Sequence, residues 1–512
     1  TNTELSGCIS ANQNGSSRAE YNTEGWFGRV NYDFDGKYFA SASYRRDASS
    51  RFHPDHRWGN FWSFGGAWIM NKEKFLQDQT WIDMLKIKAS YGEQGNDRIG
   101  NYRYISTFKI VNSNGLPAAE PSTLGNPDIT WEKGGNFNAG VDFGFWNDRL
   151  GGTVEYFYRK TSDMLYRMPL PYSFGYTGFY SNVGDMVNQG VEIDLHGDVY
   201  RSKNITIGLN LNLTTYKNKI TRLADPSKTT VRDGVGGYSS GMFYYGEGKS
   251  LYTYSMPTYL GVDRNGLPKW DDKGNMILGE DGKPVLSEPT GLPMYLKTVT
   301  IPAEYDDDGN LITPEKKIKE ITTKYSELSS ESDYHLQGTA LPKLYGGFGV
   351  NGYIYGFDFT VDFNYQVGGK VYDSTYAALM TPPTNTSQTA FHKDILDAWS
   401  VDNPNASQPR FVYSDVDFTR TSTRFLTSAS YLSLQNINVG YTIPSKVTKK
   451  MQLEKIRLYF SADNVHIWSK RKGLDPRQSM AVPSDKNSVS GSSSASYYSP
   501  VRTFSGGINV SF

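Results

Sequence analysis

The feature that most constrains this 512-residue chain is a strict alternation of apolar and polar residues, repeated in segments of about ten. At the C-terminus Phe504, Gly506, Ile508, Val510 and Phe512 fall in one phase, and Thr503, Ser505, Gly507, Asn509 and Ser511 in the other. Ile205, Ile207, Leu209, Leu211 and Leu213 alternate in the same way with Thr206, Gly208, Asn210, Asn212 and Thr214. Phe357, Phe359, Val361, Phe363 and Tyr365 do so with Asp358, Thr360, Asp362, Asn364 and Gln366. Two is the period of a β-strand, whose successive side chains point to opposite faces. The pattern recurs at Trp26–Phe34, Tyr38–Arg46, Phe61–Met70, Leu85–Gly95, Phe137–Phe145, Leu150–Thr161, Val191–Tyr200, Leu344–Ile354, Leu432–Ile443 and Ile456–Trp468. Together these predict about thirteen strands. Between Leu434 and Ile437 the apolar phase slips, which predicts a β-bulge near Gln435 and Asn436.

Such a chain is an all-β protein, either a water-soluble sandwich or a transmembrane antiparallel β-barrel. No run approaches the roughly 18 apolar residues of a membrane-spanning helix, and a mean hydropathy of −0.55 excludes a helical membrane protein. It does not exclude a barrel, whose strands turn only alternate residues to lipid. The connections favour the barrel. Asp35-Gly36, Asn147-Asp148, Arg201–Asn204 and Tyr355-Gly356 are tight, whereas those near 96–130, 163–185, 223–342, 370–430 and 470–500 are long. Short turns on one rim and long loops on the other is the plan of an outer-membrane barrel. Trp26, Trp62, Trp68, Trp131, Trp146 and Trp468 lie near strand ends, where aromatic rings sit at headgroup depth. The last residue, Phe512, falls in the lipid-facing phase. Closure with both ends on the inner rim needs an even number of strands, so about thirteen implies that part of the barrel lies outside this chain. Residues 1–22 are then expected to be a loop at a fragment's start, and 23–512 a part of the barrel.

Lys plus Arg and Asp plus Glu are 53 each, so there is no basic surplus for nucleic acid. Cys8 is the single cysteine and can form no internal disulfide. His53-Pro54-Asp55-His56 sits between flanking arginines and reads as an exposed loop rather than a zinc site. Asp271–Asn275 and Asp306–Asn310 lack the spacing of calcium loops and read as Asx-Gly turns. No nucleophile elbow, zinc-protease helix motif or phosphate loop is present. Neither enzyme activity nor a cofactor is expected. Within the long loops Phe243, Tyr244, Tyr245, Trp270, Tyr372, Tyr376, Tyr497 and Tyr498 cluster with Gly and Asp. Such rings can stack on sugar faces or grip peptide side chains, which makes them candidate substrate contacts, while loop packing explains them as well. Phe391, Ile395, Leu396 and Trp399 share a helical face, which predicts a short helix over 391–400.

Several segments resemble the SusC/RagA-like TonB-dependent outer-membrane transporters of Bacteroidetes. They are YFASASYRRDASSRF (38–52) followed by Arg57-Trp58-Gly59, LKIKASYGEQGN (85–96), NPDITWE (126–132), SNVGDMVNQGVEIDL (181–195), DAWSVDNPNASQPRF (397–411) and RTFSGGINVSF (502–512), in the family's order. The resemblance implies a 22-stranded barrel in the bacterial outer membrane, with the plug, the TonB-contacting segment and nine strands in a preceding portion. It further implies active import of glycan oligomers or oligopeptides, driven through TonB and captured under a SusD-like surface lipoprotein. A dimer of transporter–lid pairs is compatible with it. Two alternatives remain: a secreted all-β carbohydrate-binding protein, and a TonB-dependent siderophore receptor, which the hairpin matches disfavour.

Overall fold

The computed structural model describes residues 19–113, 116–170, 172–176, 178–224, 228–271, 273–308, 310–384, 390–415, 417, 420–477 and 500–512. Cys8, Tyr497 and Tyr498 lie outside them.

Thirteen antiparallel strands follow one another in chain order across a single sheet. They are β1 (Thr23–Phe34), β2 (Tyr38–Ser49), β3 (Trp58–Ile69), β4 (Ile82–Asn96), β5 (Glu132–Phe145), β6 (Leu150–Ser162), β7 (Asp185–Arg201), β8 (Ile205–Thr215), β9 (Leu344–Ile354), β10 (Phe357–Val367), β11 (Tyr431–Thr442), β12 (Lys455–Ser469) and β13 (Thr503–Ser511). Every pairing is between neighbours in this order, and a short strand, Lys217–Arg222, adds to the start of β7. Among the described residues β1 and β13 each pair on one side only.

Register carries the apolar phase of one strand onto the next. Ala42, Phe64, Tyr91 and Phe137 are directly opposed across β2 to β5, and Val141, Val154, Ile193 and Leu213 across β5 to β8. Leu209, Val350, Val361 and Ile437 continue the row across β8 to β11, and Leu458 meets Ile508 at the last edge. Directly opposed residues share a face, so the sheet has one apolar face over its whole width. That face is bare: Phe64 is 57% exposed, Leu209 47%, Phe460 50% and Ile508 66%. Apolar patches on soluble monomers rarely exceed a few hundred Å². A face of this extent is what a bilayer covers.

The bulge lies where the phase slips. Leu434 pairs with Phe363 and Asn436 with Asp362, leaving Gln435 without a partner on β10. Its side chain donates to Asn464 Oδ1 at 3.0 Å. Without that extra residue a single-register shift would turn Ile437, Val439 and Tyr441 to the wet side.

Tight turns on one rim need left-handed backbone, and the sequence supplies residues that accept it. Asp35 and Gly36 have φ of 57° and 58°, and Tyr355 and Gly356 of 47° and 98°. The remaining connections on that rim are 70–81, 146–149, 202–204 and 443–454. On the other rim lie 50–57, 97–131, 163–184, 216–343, 368–430 and 470–502.

Aromatic rings collect at both ends of the apolar face. At the short-turn rim Tyr38 stacks on Trp68 at 6.2 Å, Trp81 packs on Phe145 at 5.3 Å and Phe357 on Tyr441 at 4.6 Å. Toward the long loops Trp62 meets Tyr91 at 5.1 Å, and Trp26 is 67% exposed. Trp131 is not part of these belts. It is 7% exposed and packs with Phe52, Phe61, Ile99 and Ile129 beneath the loops, where its indole donates to the Arg57 carbonyl at 2.8 Å. A ring that close to a strand end can serve lipid or loop core equally well, and only the fold distinguishes the two.

The helix expected at 391–400 is a 3₁₀ segment, Lys393–Asp397. His392 Nδ1 accepts from the Asp394 amide and opens the turn at 3.2 Å, while bridges of Ala398 to Gln408 and Ser400 to Asn403 draw the chain into extended backbone. Ile395 packs against a loop core, whereas Leu396 is 89% exposed, so no common apolar face forms.

Candidate functional site

The polar phase of the strands makes the other face. Lys88 reaches both Asp142 at 2.9 Å and Glu155 at 3.2 Å, with Lys86 at 3.4 Å from Asp142 and Thr153 donating to the same carboxylate at 2.9 Å. Further along, Arg457 grips Asp358 through Nε at 2.9 Å and donates to Asn438 at 2.9 Å. These groups sit on four or more strands but meet because the register places them opposite one another. Partly exposed pairs of this kind contribute little to stability, about 0–1 kcal/mol each. What they do is line the face with fixed charge and hydrogen-bonding groups. Gly349 shows the crowding there: Asp362 Oδ1 and Asn210 Oδ1 occupy the space where a Cβ would stand.

At one end of this face the two longest connections fold into small sheets. Thr230–Arg232, Val235–Ser240, Phe243–Gly246, Thr253–Pro257 and Tyr334–Thr339 form a five-stranded sheet, and Tyr259–Val262, Pro293–Ile301 and Lys316–Thr322 a three-stranded one. The two connections share one core. Phe243, Tyr254, Met256 and Ala340 from 216–343 pack with Tyr372, Ala377, Met380 and Phe425 from 368–430. Hydrogen bonds cross the same seam: Tyr259 N to Thr423 Oγ1 at 2.9 Å, Tyr295 hydroxyl to the Asp417 carbonyl at 3.1 Å, and Tyr325 hydroxyl to the Thr421 carbonyl at 2.9 Å. Arg424 lies in this seam, over the rings of Phe425 at 4.8 Å and Tyr259 at 5.7 Å, and donates to Gln408 Oε1 at 3.0 Å. Burial holds its pKa below the usual guanidinium value, opposed by the tyrosines around it.

The aromatic residues singled out in the sequence have different places here. Tyr244 is fully buried, and its hydroxyl donates to the Thr230 and Val235 carbonyls at 2.9 and 2.6 Å. Phe243 and Tyr372 are each 6% exposed, inside the shared core. These three present no open ring face in this structure. Tyr245 is half-buried and stacks on Tyr238 at 5.0 Å, which meets Tyr166 of the 163–184 connection at 5.2 Å. Burial pushes the Tyr245 hydroxyl up to about 12. Trp270 is half-buried at a bridge to Met276. Tyr376 is half-buried under the Arg471 guanidinium, 4.6 Å from its ring, and donates to Asp394 at 2.7 Å. Burial raises its pKa, and the bond to Asp394 adds to the effect. Arg471 in turn binds Asp373 at 2.8 Å, tying the 470–502 connection to 368–430.

The two acidic repeats are turns. Asp271 Oδ1 accepts from the Lys273 and Asn275 amides at 2.9 and 2.8 Å, and Asp306 Oδ1 from Asp308 and Asn310 at 3.0 and 2.7 Å. His53 and His56 turn to different carboxylates, Asp55 at 3.3 Å and Asp128 at 3.7 Å. The Lys88 and Arg457 clusters do not stand out as clusters in the sequence. Their signal was there, as charge in the polar phase, but cross-strand partners cannot be assigned before register is known.

Replacing Tyr244 with Phe removes a hydroxyl that bonds to the Thr230 and Val235 carbonyls, at an expected cost of about 0.5–1.5 kcal/mol. Limited proteolysis should then cut within 223–342 faster than in the parent, while strand pairing in the sheet is unchanged.

Residues 2–272 match the family model described as TonB dependent receptor-like, beta-barrel. TonB-dependent receptor P3 of Formosa agariphila is 27% identical over 95% of this chain and 45% of its own length. TonB-dependent receptor SusC of Bacteroides thetaiotaomicron is 26% identical over 88% of this chain and 41% of its own length. Among solved structures, a chain of the RagAB peptide importer in its closed-closed state superposes with a TM-score of 0.74 at 27% identity, over 96% of this chain and 48% of that one. This chain therefore spans less than half the length of these relatives. With the family model matched over more than half its residues, and with a thirteen-strand sheet that is apolar on one face and polar on the other, the chain belongs to the TonB-dependent receptor β-barrel family of the bacterial outer membrane.

Proposed function

We propose that this chain forms the C-terminal wall and outer mouth of an active importer that carries oligopeptides or glycan oligomers across the outer membrane. The observation that carries the reading is the pairing of a bilayer-covered apolar face with a charged inner face that ends under interlocked outer loops. A sheet wet on one side and lipid-covered on the other is a channel wall. Loops that share a core with each other form a platform rather than a set of independent tethers. The likeness to a chain of the RagAB peptide importer supports the oligopeptide reading. The part closed by other residues of the full protein would hold the plug and the TonB-contacting segment, and motor-driven displacement of the plug would open the path.

In this reading a SusD-like lipoprotein sits over connections 216–343 and 368–430. Both far exceed what is needed to join neighbouring strands, and exposed Tyr305, Leu311, Ile312, Leu396, Val401 and Tyr413 decorate their outer surface. Tyr245, Trp270 and Tyr376, half-buried at their edges, remain the substrate-contact candidates among the described residues, and Tyr497 and Tyr498 stand with them on sequence alone.

The test is extraction of the full-length protein in mild detergent. The lipoprotein should come with it, and excising residues 303–314, a hairpin outside the shared core, should weaken its retention. A full-length protein that purifies alone and still imports oligomers at the normal rate would end the lid reading. Loss of uptake with the lipoprotein still bound would instead place the hairpin's role in substrate handling.

A further inference from the structure

On the apolar face near the short-turn rim the sheet is not smoothly covered. A trough of about 760 Å³ opens there, lined by Leu195, Leu209, Leu211, Val350, Trp146 and Phe348 among others. The volume is in the usual range for small-molecule sites, about 300–1,000 Å³. Its cause is local. Gly197 stands in the apolar phase of β7, opposite Leu209 of β8 and Leu150 of β6, and adds no side chain of its own to that row. One residue on, the β7–β8 register slips between Asp198 and Tyr200, and Val199 projects with 68% of its surface exposed.

The rim end of the trough is cationic. Arg149, in the turn 146–149, is exposed and has no ion pair or side-chain hydrogen bond among the described residues. Lys203, in the next turn on the same rim, is exposed in the same way. The nearby carboxylates are directed elsewhere: Asp198 pairs with Arg201 at 3.4 Å, Asp148 Oδ1 lies beside Gly144 and Gly151 in the polar phase, and Asp83 Oδ2 accepts from the Asp148 amide at 2.9 Å. Trp146, 51% exposed, marks this level as the interface, where a tryptophan ring sits among headgroups. An apolar trough running into the membrane from an unpaired cation at headgroup depth is complementary to one class of molecule.

We infer that the trough holds an acyl chain of a resident anionic phospholipid of the inner-facing leaflet, with its phosphate over Arg149. The inference rests on the membrane-facing assignment of the apolar face and not on what the protein imports. Ordinary bilayer lipid covers the rest of the face and exchanges freely. Here Leu195, Leu209, Leu211 and Val350 line the trough beside Gly197, and the cation selects the headgroup, each basic group near an anionic surface being worth about 1 kcal/mol.

Native mass spectrometry of the full-length protein, carried through detergent exchange, reads this directly. The parent should retain one phospholipid, with added phosphatidylglycerol displacing phosphatidylethanolamine. Leu209→Trp, which fills the trough, should remove retained lipid of every headgroup. Arg149→Glu should leave the trough open but lower the preference for phosphatidylglycerol by about tenfold. Heat-modifiable migration on gels establishes that each variant is folded, and Leu211→Trp replaces Leu209→Trp if the latter is not. A parent that retains no lipid, variants that retain it as the parent does, or a tightly held polypeptide in its place would each overturn the inference. A folded barrel that keeps the lipid yet imports nothing would fail the transport reading alone.

Discussion

Val361→Arg should destabilise the assembled barrel by about 2–4 kcal/mol, the cost of a guanidinium on the lipid face near mid-membrane. Val361 lies in the middle of β10, opposite Val350 on one side and Ile437 on the other, in the row that crosses the apolar face. Its neighbour Thr360 faces the polar side, opposite Asn351 and Asn438. Thr360→Arg is therefore the control, with an expected change within about 0.5 kcal/mol, as for an exposed substitution. Denaturant titration of the full-length protein in lipid vesicles separates the two. Equal stability of both variants would show that the apolar face does not meet lipid.

Residues 1–512 expressed alone should yield no closed, heat-resistant barrel in detergent. β1 and β13 each expose a full row of backbone donors and acceptors, because each has one partner strand among the described residues. Unpaired backbone groups in hydrocarbon cost several kcal/mol each, and an open edge does not persist there. β1 is exposed on both faces along its whole length, from Thr23 to Phe34. Supplying the remaining strands of a full-length relative in the same expression should restore a heat-modifiable species. A monomeric folded product of the chain alone, soluble without detergent, would favour the secreted binding protein over the transporter.

How much of this was legible beforehand varies by element. The strands were, because a half-lipid, half-water environment forces the alternation on every one of them, and thirteen appear where about thirteen were expected. The bulge at Gln435 was legible for the same reason, since a slip in phase has one cheap structural solution. The turns at Asp35-Gly36 and Tyr355-Gly356 announced themselves by residue type and spacing. Trp131 and the 391–400 segment were misread. In both, local pattern was compatible with two environments, and contacts from outside the segment chose between them: Phe52 and the Arg57 carbonyl for Trp131, Gln408 and the loop core for Ile395 and its neighbours.

The aromatic loop residues mark the limit most clearly. Tyr244, Tyr245, Tyr372 and Tyr376 look alike in sequence, as rings among Gly and Asp. In the fold one spends its hydroxyl on two carbonyls, one stacks on Tyr238, one is core, and one sits between Arg471 and Asp394. The sequence by itself determined which residues face lipid and which face water, because that choice is made strand by strand at a period of two. Only the tertiary structure decided which charges meet across the inner face, which loops share a core and where the apolar face forms a trough between Leu195, Leu209 and Val350. Those depend on register and on contacts between segments far apart in the chain, and a one-dimensional pattern carries no information about either.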